Sequence, residues 1–236
     1  RLAVEVGAHH LKRPGPGRGI LLGGIAGAAP AHVVVIGAGN VGRNAVRVAV
    51  GMGARVTVVS NVAEQLRELD AIYAGRVETA LSTRGVIAAL VPTADLLIGA
   101  VLVEGQRAPV VVTREMVRSM QPGSVIVDVA VDQGGCVETT RPTNHDAPVY
   151  VEEGVVHYAV PNMPGSVPRT ASHALSTLTL PYALAMANLG VDEAIRRDPA
   201  LAHGVNIYRG AVTHPAVAAA LALPYVPLEQ AMAAAR

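Results

Sequence analysis

Apolar and β-branched residues cluster at positions 32–37, 55–60, 76–81, 95–101 and 124–131, and between these runs apolar positions recur at helical spacing over 41–53, 62–74, 85–92 and 113–120. A period that switches repeatedly from strand to helix predicts parallel strands joined by crossover helices, with helices on both faces of one sheet. The runs VVVI and VTVV show no polar alternation, as expected of strands covered on both sides, so the sheet is expected at the centre. Clusters of glycine and proline at 14–19 and 27–30 break the chain ahead of the first strand, and Gln121-Pro122-Gly123 predicts a turn into another. Residues 2–12 predict an amphipathic helix with Leu2, Val4, Val6 and Leu11 on its apolar side, and beyond residue 165 the pattern is helical with little strand signal.

Composition narrows the choice of class. With 236 residues, 51% hydrophobic and 16% charged, the chain can bury a sizeable core. Its net charge is +1 and Lys12 is its only lysine, so no basic block could neutralise a run of phosphates, and nucleic acid is not expected as a partner. The apolar stretch 174–190 contains Thr177, Thr179 and Pro181 and falls short of the roughly 20 apolar residues a bilayer span requires. It reads as a buried helix, and no membrane association is expected. The first residues lack the apolar core and cleavage site of a secretory signal, and the single Cys136 leaves no internal disulfide to form, so a reducing, cytoplasmic location is expected.

Gly37-Ala38-Gly39-Asn40-Val41-Gly42 fits G-x-G-x-x-G, follows a predicted strand and opens a predicted helix. In that context the first glycine permits a tight turn, the second lets the backbone approach a pyrophosphate, and the third lets helix and strand pack closely. The amides of Asn40 and Val41 begin the helix, where free N–H groups and the helix dipole favour an anion. The fold class expected is therefore α/β, a Rossmann-type doubly wound parallel sheet with flanking helices and a helical C-terminal segment. Ser60 stands at the end of the second strand, where such folds usually carry an acid that binds the adenosine ribose. A neutral hydrogen bond contributes about 1 kcal/mol against about 1.5–3 for a charge-assisted one, so NAD affinity should fall modestly. The missing carboxylate also removes repulsion of a 2′-phosphate, yet Asn61, Val62, Ala63 and Gln65 supply no arginine to attract one. NAD is the expected cofactor, with weak discrimination against NADP.

Four segments, GRGILLGGIAGAAPAHVVVIGAGNVGRNA (17–45), ADLLIGAVLVEG (94–105), REMVRSMQPGSVIVDVAVDQGGCVETTRPTNHD (114–146) and PNMPGSVPRTASHALSTLTLPYALAMANLG (161–190), resemble the alanine dehydrogenases, relatives of the nucleotide-binding part of proton-translocating transhydrogenase. The resemblance covers nearly the whole chain, and VDVAVDQGGC and NMPGSVPRT are far more specific than the glycine motif. It implies reversible oxidative deamination of L-alanine to pyruvate and ammonium, with a hydride passed to NAD. It also implies a homo-oligomer, a hexamer by family resemblance.

Residue by residue, Asp132 of VAVDQGG matches the family's catalytic aspartate beside the nicotinamide ribose and the substrate. A carboxylate following an apolar strand lies where open α/β sheets place ligands, and could hold an amino group and assist proton transfer. The plain alternative is a turn-capping Asp. Val129 of the same motif is a further expected cofactor-binding residue, Val160, Asn162 and Met163 match the segment lining the nicotinamide face, Ser82, Val101 and Leu102 match positions beside the adenine and the dinucleotide bridge, and Arg141 matches a cofactor-contacting arginine. Without the resemblance, Met163 would be core filler, Asn162 a turn former and Arg141 a solvated charge. Pro161 replaces the alanine more frequent in the family. His145, His157 and His173 have no neighbours at zinc spacing, and Cys136 has no paired base, so no metal is expected and the cysteine reads as structural.

The expected organisation is a linker helix with a loop over 1–30, an NAD-binding domain over 31–168, and a helical segment over 169–236 that in the family completes a substrate domain. The family's substrate-binding arginine and lysine and its catalytic histidine lie in that N-terminal domain, which this sequence does not contain. The expectation is a cofactor-binding half with little turnover alone. Two other readings stay open on the residues themselves: a non-catalytic NAD(H)-binding module, and another oxidoreductase of the same scaffold acting on a small cationic or imine substrate.

Overall fold

The computed structural model describes residues 1–103 and 107–233. These form two compact units, one made of residues 1–103 and 107–163 and the other of 164–233. In the first unit, α1 (Leu2–His10) precedes β1 (His32–Ile36), α2 (Asn40–Gly51), β2 (Arg55–Ser60), α3 (Ala63–Tyr73), β3 (Val77–Leu81), α4 (Arg84–Leu90) and β4 (Leu96–Gly99). There follow α5 (Arg114–Arg118), β5 (Val125–Asp128), β6 (Val149–Glu152) and β7 (Val155–Tyr158). Seven strands lie in the order β3-β2-β1-β4-β5-β7-β6, all parallel except β6, which is antiparallel to β7 at the edge. The chain leaves β1 toward β2 and β3, then returns to β4 on the other side, so the order reverses between β1 and β4. Doubly wound sheets open a crevice at such a point, at the carboxyl ends of their strands.

The strands form because their side chains are apolar on both faces. Val33, Val35, Val56, Val58, Leu96, Ile98, Val125 and Val127 pack with Val4, Leu11, Ala45, Val46, Leu66 and Leu69 on one face. The alternate residues Val34, Ile36, Val59, Leu97 and Ile126 pack with Ile87, Met116 and Val117 on the other. Helix α1 lies close because its buried residues are small: Ala3, Gly7 and Ala8 sit with Val4. A Cβ at Gly7 would stand 2.4 Å from Leu96 Cδ1, so this approach needs glycine.

Several sequence expectations change. The runs at 95–101 and 124–131 are strands only as far as Gly99 and Asp128. The edge strand β3 is half open rather than covered on both sides. The hairpin of β6 and β7 was not anticipated; its turn residues Glu153 and Gly154 both take positive φ, 51° and 79°, the geometry of a two-residue hairpin turn. The turn at Gln121-Pro122-Gly123 forms as expected, with Gly123 at φ 80° and the Ser124 N–H donating to the Gln121 carbonyl at 3.0 Å.

The second unit holds α6 (Pro168–Leu189), α7 (Val191–Arg197), α8 (Pro199–His203), a short hairpin of β8 (Ile207–Tyr208) and β9 (Ala211–Val212), α9 (Pro215–Leu221) and α10 (Leu228–Ala233). The stretch expected as a buried, interrupted helix is instead continuous and exposed: α6 runs through Pro181 and buries no side chain. Leu175, Leu178 and Leu180 are 64%, 71% and 55% exposed. Thr177 and Thr179 keep helical geometry by donating their hydroxyls to the carbonyls of His173 and Leu175 at 2.8 and 2.9 Å. No helix among the described residues is long and apolar enough to cross a membrane. Residues 104–106, the end of one resemblance segment, and 234–236 lie outside the described residues.

Candidate active site at the strand ends

The glycine turn has the geometry that its spacing predicts. Gly37 takes φ 105°, and a Cβ there would lie 2.3 Å from the Ala100 carbonyl oxygen, so the turn abuts the end of β4 as only glycine allows. At Gly42 a Cβ would lie 1.8 Å from the Gly37 carbonyl oxygen, which fixes the close helix–strand packing. Gly39 differs: a Cβ there would meet nothing within 4 Å. Gly39 is the N-cap of α2, with no side-chain cap and no acid in the first turn. The leading N–H groups of a helix, here those of Asn40 and Val41, have no partner within it. Free amides at the positive end of a helix are able to bind a phosphate group. Arg43, one turn later, closes the loop by donating its Nε to the Ala38 carbonyl at 3.0 Å.

The other expected residues follow the ends of the strands in order. Ser60 ends β2, but it is buried, and its hydroxyl accepts from the Val62 N–H at 3.1 Å while donating to Gln65 Oε1 at 2.9 Å. The Ser82 N–H donates to the Ser60 carbonyl at 2.9 Å, so these two positions are neighbours. Val101 and Leu102 follow β4, the first half-buried and the second 66% exposed. Val129 follows β5 and donates its N–H to the Gly99 carbonyl at 2.9 Å. Val160 is buried just beyond β7, Asn162 is exposed with φ 54°, and Met163 is packed into the core.

Asp132 is exposed on a single helical turn, Val131–Gln133, directly after β5. The carboxylate beneath that turn is one the sequence pattern did not single out. Asp128, the last residue of β5, is 1% exposed. Its Oδ1 accepts from the Ala130 N–H at 3.1 Å and the Cys136 thiol at 3.4 Å. Its Oδ2 accepts from the N–H groups of Cys136 at 2.9 Å and Val137 at 3.1 Å, and from the Thr140 hydroxyl at 2.7 Å. Burial, and next the charge of Asp128, push the Cys136 thiol well above its ordinary pKa, which keeps it a donor and makes it structural. An available signal is a lone acid in an apolar run, VIVDVA, followed by a Gly-Gly pair that lets the chain fold back so that the Cys136 and Val137 amides reach it.

Arg141 lies over the Tyr150 ring, 3.8 Å from its centroid. Tyr150 accepts from the Arg141 N–H at 2.9 Å, donates to the Thr139 carbonyl at 2.8 Å, and stacks on His157 at 5.0 Å. His157 is buried between Thr139 and the Val155 carbonyl, and burial lowers its pKa. No cluster of His, Cys, Asp or Glu able to hold a metal occurs among the described residues.

Residues 3–215 match the family model described as "Alanine dehydrogenase/PNT, C-terminal domain". The chain belongs to this family. Alanine dehydrogenases of Methanococcus maripaludis and Bacillus subtilis are each 51% identical to it over 233 residues, covering 98% of this chain and 62% of theirs. Among solved structures, an L-alanine dehydrogenase matches with TM-score 0.87 at 50% identity, over 94% of this chain and 61% of that one. A transhydrogenase from Sinorhizobium meliloti matches with TM-score 0.66 at 27% identity, over 91% of this chain and 57% of that one. The chain thus spans about three fifths of the length of the alanine dehydrogenases it matches. In this member of the alanine dehydrogenase/PNT C-terminal family, the glycine turn and the Asp132 turn follow the parallel strands β1 and β5 of one sheet, on either side of its switch point.

Proposed function

We propose that this chain is the cofactor-binding half of an NAD-dependent L-alanine dehydrogenase, interconverting L-alanine with pyruvate and ammonium when joined to a substrate-binding half. The observation that carries this reading is the open, uncapped glycine turn at the switch point of a chain belonging to this family. The amides of Gly39, Asn40 and Val41 would hold a diphosphate, Ser82, Val101 and Leu102 would flank the adenosine side, and Val129, Val160, Asn162 and Met163 would border the nicotinamide. A bound nicotinamide dinucleotide supplies the hydride acceptor. Asp132, solvated and held on a short turn, would hold the substrate's ammonium group and pass protons as carbon and nitrogen change charge, a role worth typically 10²–10⁴-fold in rate. Arg141 would meet the cofactor with a guanidinium already fixed over Tyr150.

Neither Ser60 nor the next three residues is an acid or an arginine, Glu64 is paired with Arg67, and the Ser60 hydroxyl is taken up by Gln65 and Val62. The adenosine ribose therefore meets a neutral site, and NADP binds there within a hundredfold of NAD. The segment 169–236 is assigned to a substrate domain whose remainder is not in this sequence, and homo-oligomeric assembly in the cytoplasm is carried over from the family.

The test is a fusion of the N-terminal part of the Bacillus subtilis relative, the part this chain does not match, ahead of residue 1. The fusion should reduce NAD with L-alanine, and Asp132→Asn in it should lower kcat by about 10²–10⁴. A folded fusion that binds NADH yet ignores alanine and pyruvate would refute the substrate, and an unaffected Asp132→Asn variant would refute the role of that residue.

A further inference from the structure

The Asp128 carboxylate receives five donors: one, the Ala130 N–H, from the start of the turn that carries Asp132, and four, from Cys136, Val137 and Thr140, from the segment that follows. Burying a carboxylate is costly unless it is hydrogen-bonded throughout, and these donors meet that cost while tying together the stretches that supply them. Space around it is reserved by glycine. A Cβ at Gly99 would come within 2.5 Å of Cys136 Sγ and 3.1 Å of Asp128 Oδ1, and Gly135, at φ 79°, would bring one within 2.9 Å of Asp128 Oδ2. The turn and the segment after it are also held by backbone: the Ala108 N–H donates to the Gln133 carbonyl at 2.8 Å, and the Val111 and Val112 N–H groups donate to the Cys136 carbonyl at 2.9 and 3.2 Å.

From this geometry we infer that Asp128 is a positioning residue, the anchor that sets where the Asp132 turn stands against the nicotinamide end of the cofactor. The inference rests on the cofactor reading above. Asp128 touches neither cofactor nor substrate; it acts through the amides of Ala130, Cys136 and Val137. An Asn at 128 must turn its amide NH₂ toward either the Oδ1 donors or the Oδ2 donors, so one set of N–H groups faces another donor. The turn is then free to shift while the glycine turn at β1 keeps its place.

The test uses the 236-residue chain with NADH and with ADP-ribose, which lacks the nicotinamide. Asp128→Asn should bind NADH at least tenfold more weakly and ADP-ribose within twofold of wild type, and amide exchange should quicken at Ala130, Cys136 and Val137 in the absence of either ligand. Thr140→Val, which removes a single donor, should show a smaller loss of the same kind, and Thr140→Ser should restore wild-type binding. Thr140→Val carries the test if Asp128→Asn does not fold. Equal losses for the two ligands would overturn the inference, because the carboxylate would then serve the fold alone; so would unchanged NADH binding. If the wild-type chain binds neither ligand, the cofactor reading itself fails and takes the inference with it, an outcome plainly different from wild-type binding that the variants leave intact.

Discussion

Gly42 and Ser60 show how single positions divide the work of the site between packing and recognition. At Gly42 the reason for glycine is internal, since any side chain meets a backbone carbonyl at 1.8 Å and no rotamer relieves that. Gly42→Ala should therefore destabilise the chain by about 1–3 kcal/mol, the usual cost of overpacking, lowering the urea midpoint as well as weakening NADH binding. At Ser60 the issue is charge. Its buried hydroxyl bonds within the chain, so a longer, charged replacement must displace Gln65 before it can face a ribose. Ser60→Asp should raise the preference for NADH over NADPH by tenfold or more in paired titrations, through attraction of the ribose hydroxyls and repulsion of the 2′-phosphate. An unchanged ratio would mean that the end of β2 does not face the adenosine.

At the scale of elements, what was legible follows from which forces are local. The strands β1, β2, β4 and β5 are written as continuous apolar runs because both faces are buried, and the glycine turn is legible because its backbone geometry demands glycine. The hairpin of β6 and β7 was missed because its turn, Glu153-Gly154, lacks the usual Asn-Gly or Asp-Gly pair and its strands are only four residues each. Asp128 was missed because hydrogen bonds from residues 130–140 become visible only once the chain folds back. Helix α6 misled in the other direction, since apolar content there does not correspond to burial among the described residues. Leu178→Lys on α6 should accordingly change the stability of this chain by no more than about 0.5 kcal/mol, as at other exposed positions. A loss of several kcal/mol in urea unfolding would show that the face is covered in solution.

For the molecule as a whole, buried imidazoles set the response to acid. Burial lowers the pKa of both His32 and His157, against further causes of either sign. The unfolded chain takes up these protons below about pH 6.5, while the folded chain resists them, so stability is full above that pH and declines as pH falls toward the lowered values. Urea midpoints measured from pH 7.5 to pH 5 should decrease, and His157→Gln should flatten that slope whatever its effect at neutral pH. Catalysis is a separate property of the whole: on the proposed function, orientation of the substrate by the substrate-binding half is worth several orders of magnitude, so the isolated chain should show little or no pyruvate-dependent NADH oxidation. On the proposed reading, binding needs only the strand ends described here. The chain contains no tryptophan, so NADH emission can be followed without tryptophan background, and titration of wild type against Gly39→Ala is the most direct measurement. The Gly39 side-chain direction is open, so the variant should melt within a few degrees of wild type while binding NADH at least tenfold more weakly than the saturable wild-type interaction. No saturable binding by the wild type, or equally tight binding by Gly39→Ala, would contradict the assignment of the glycine turn as the diphosphate site.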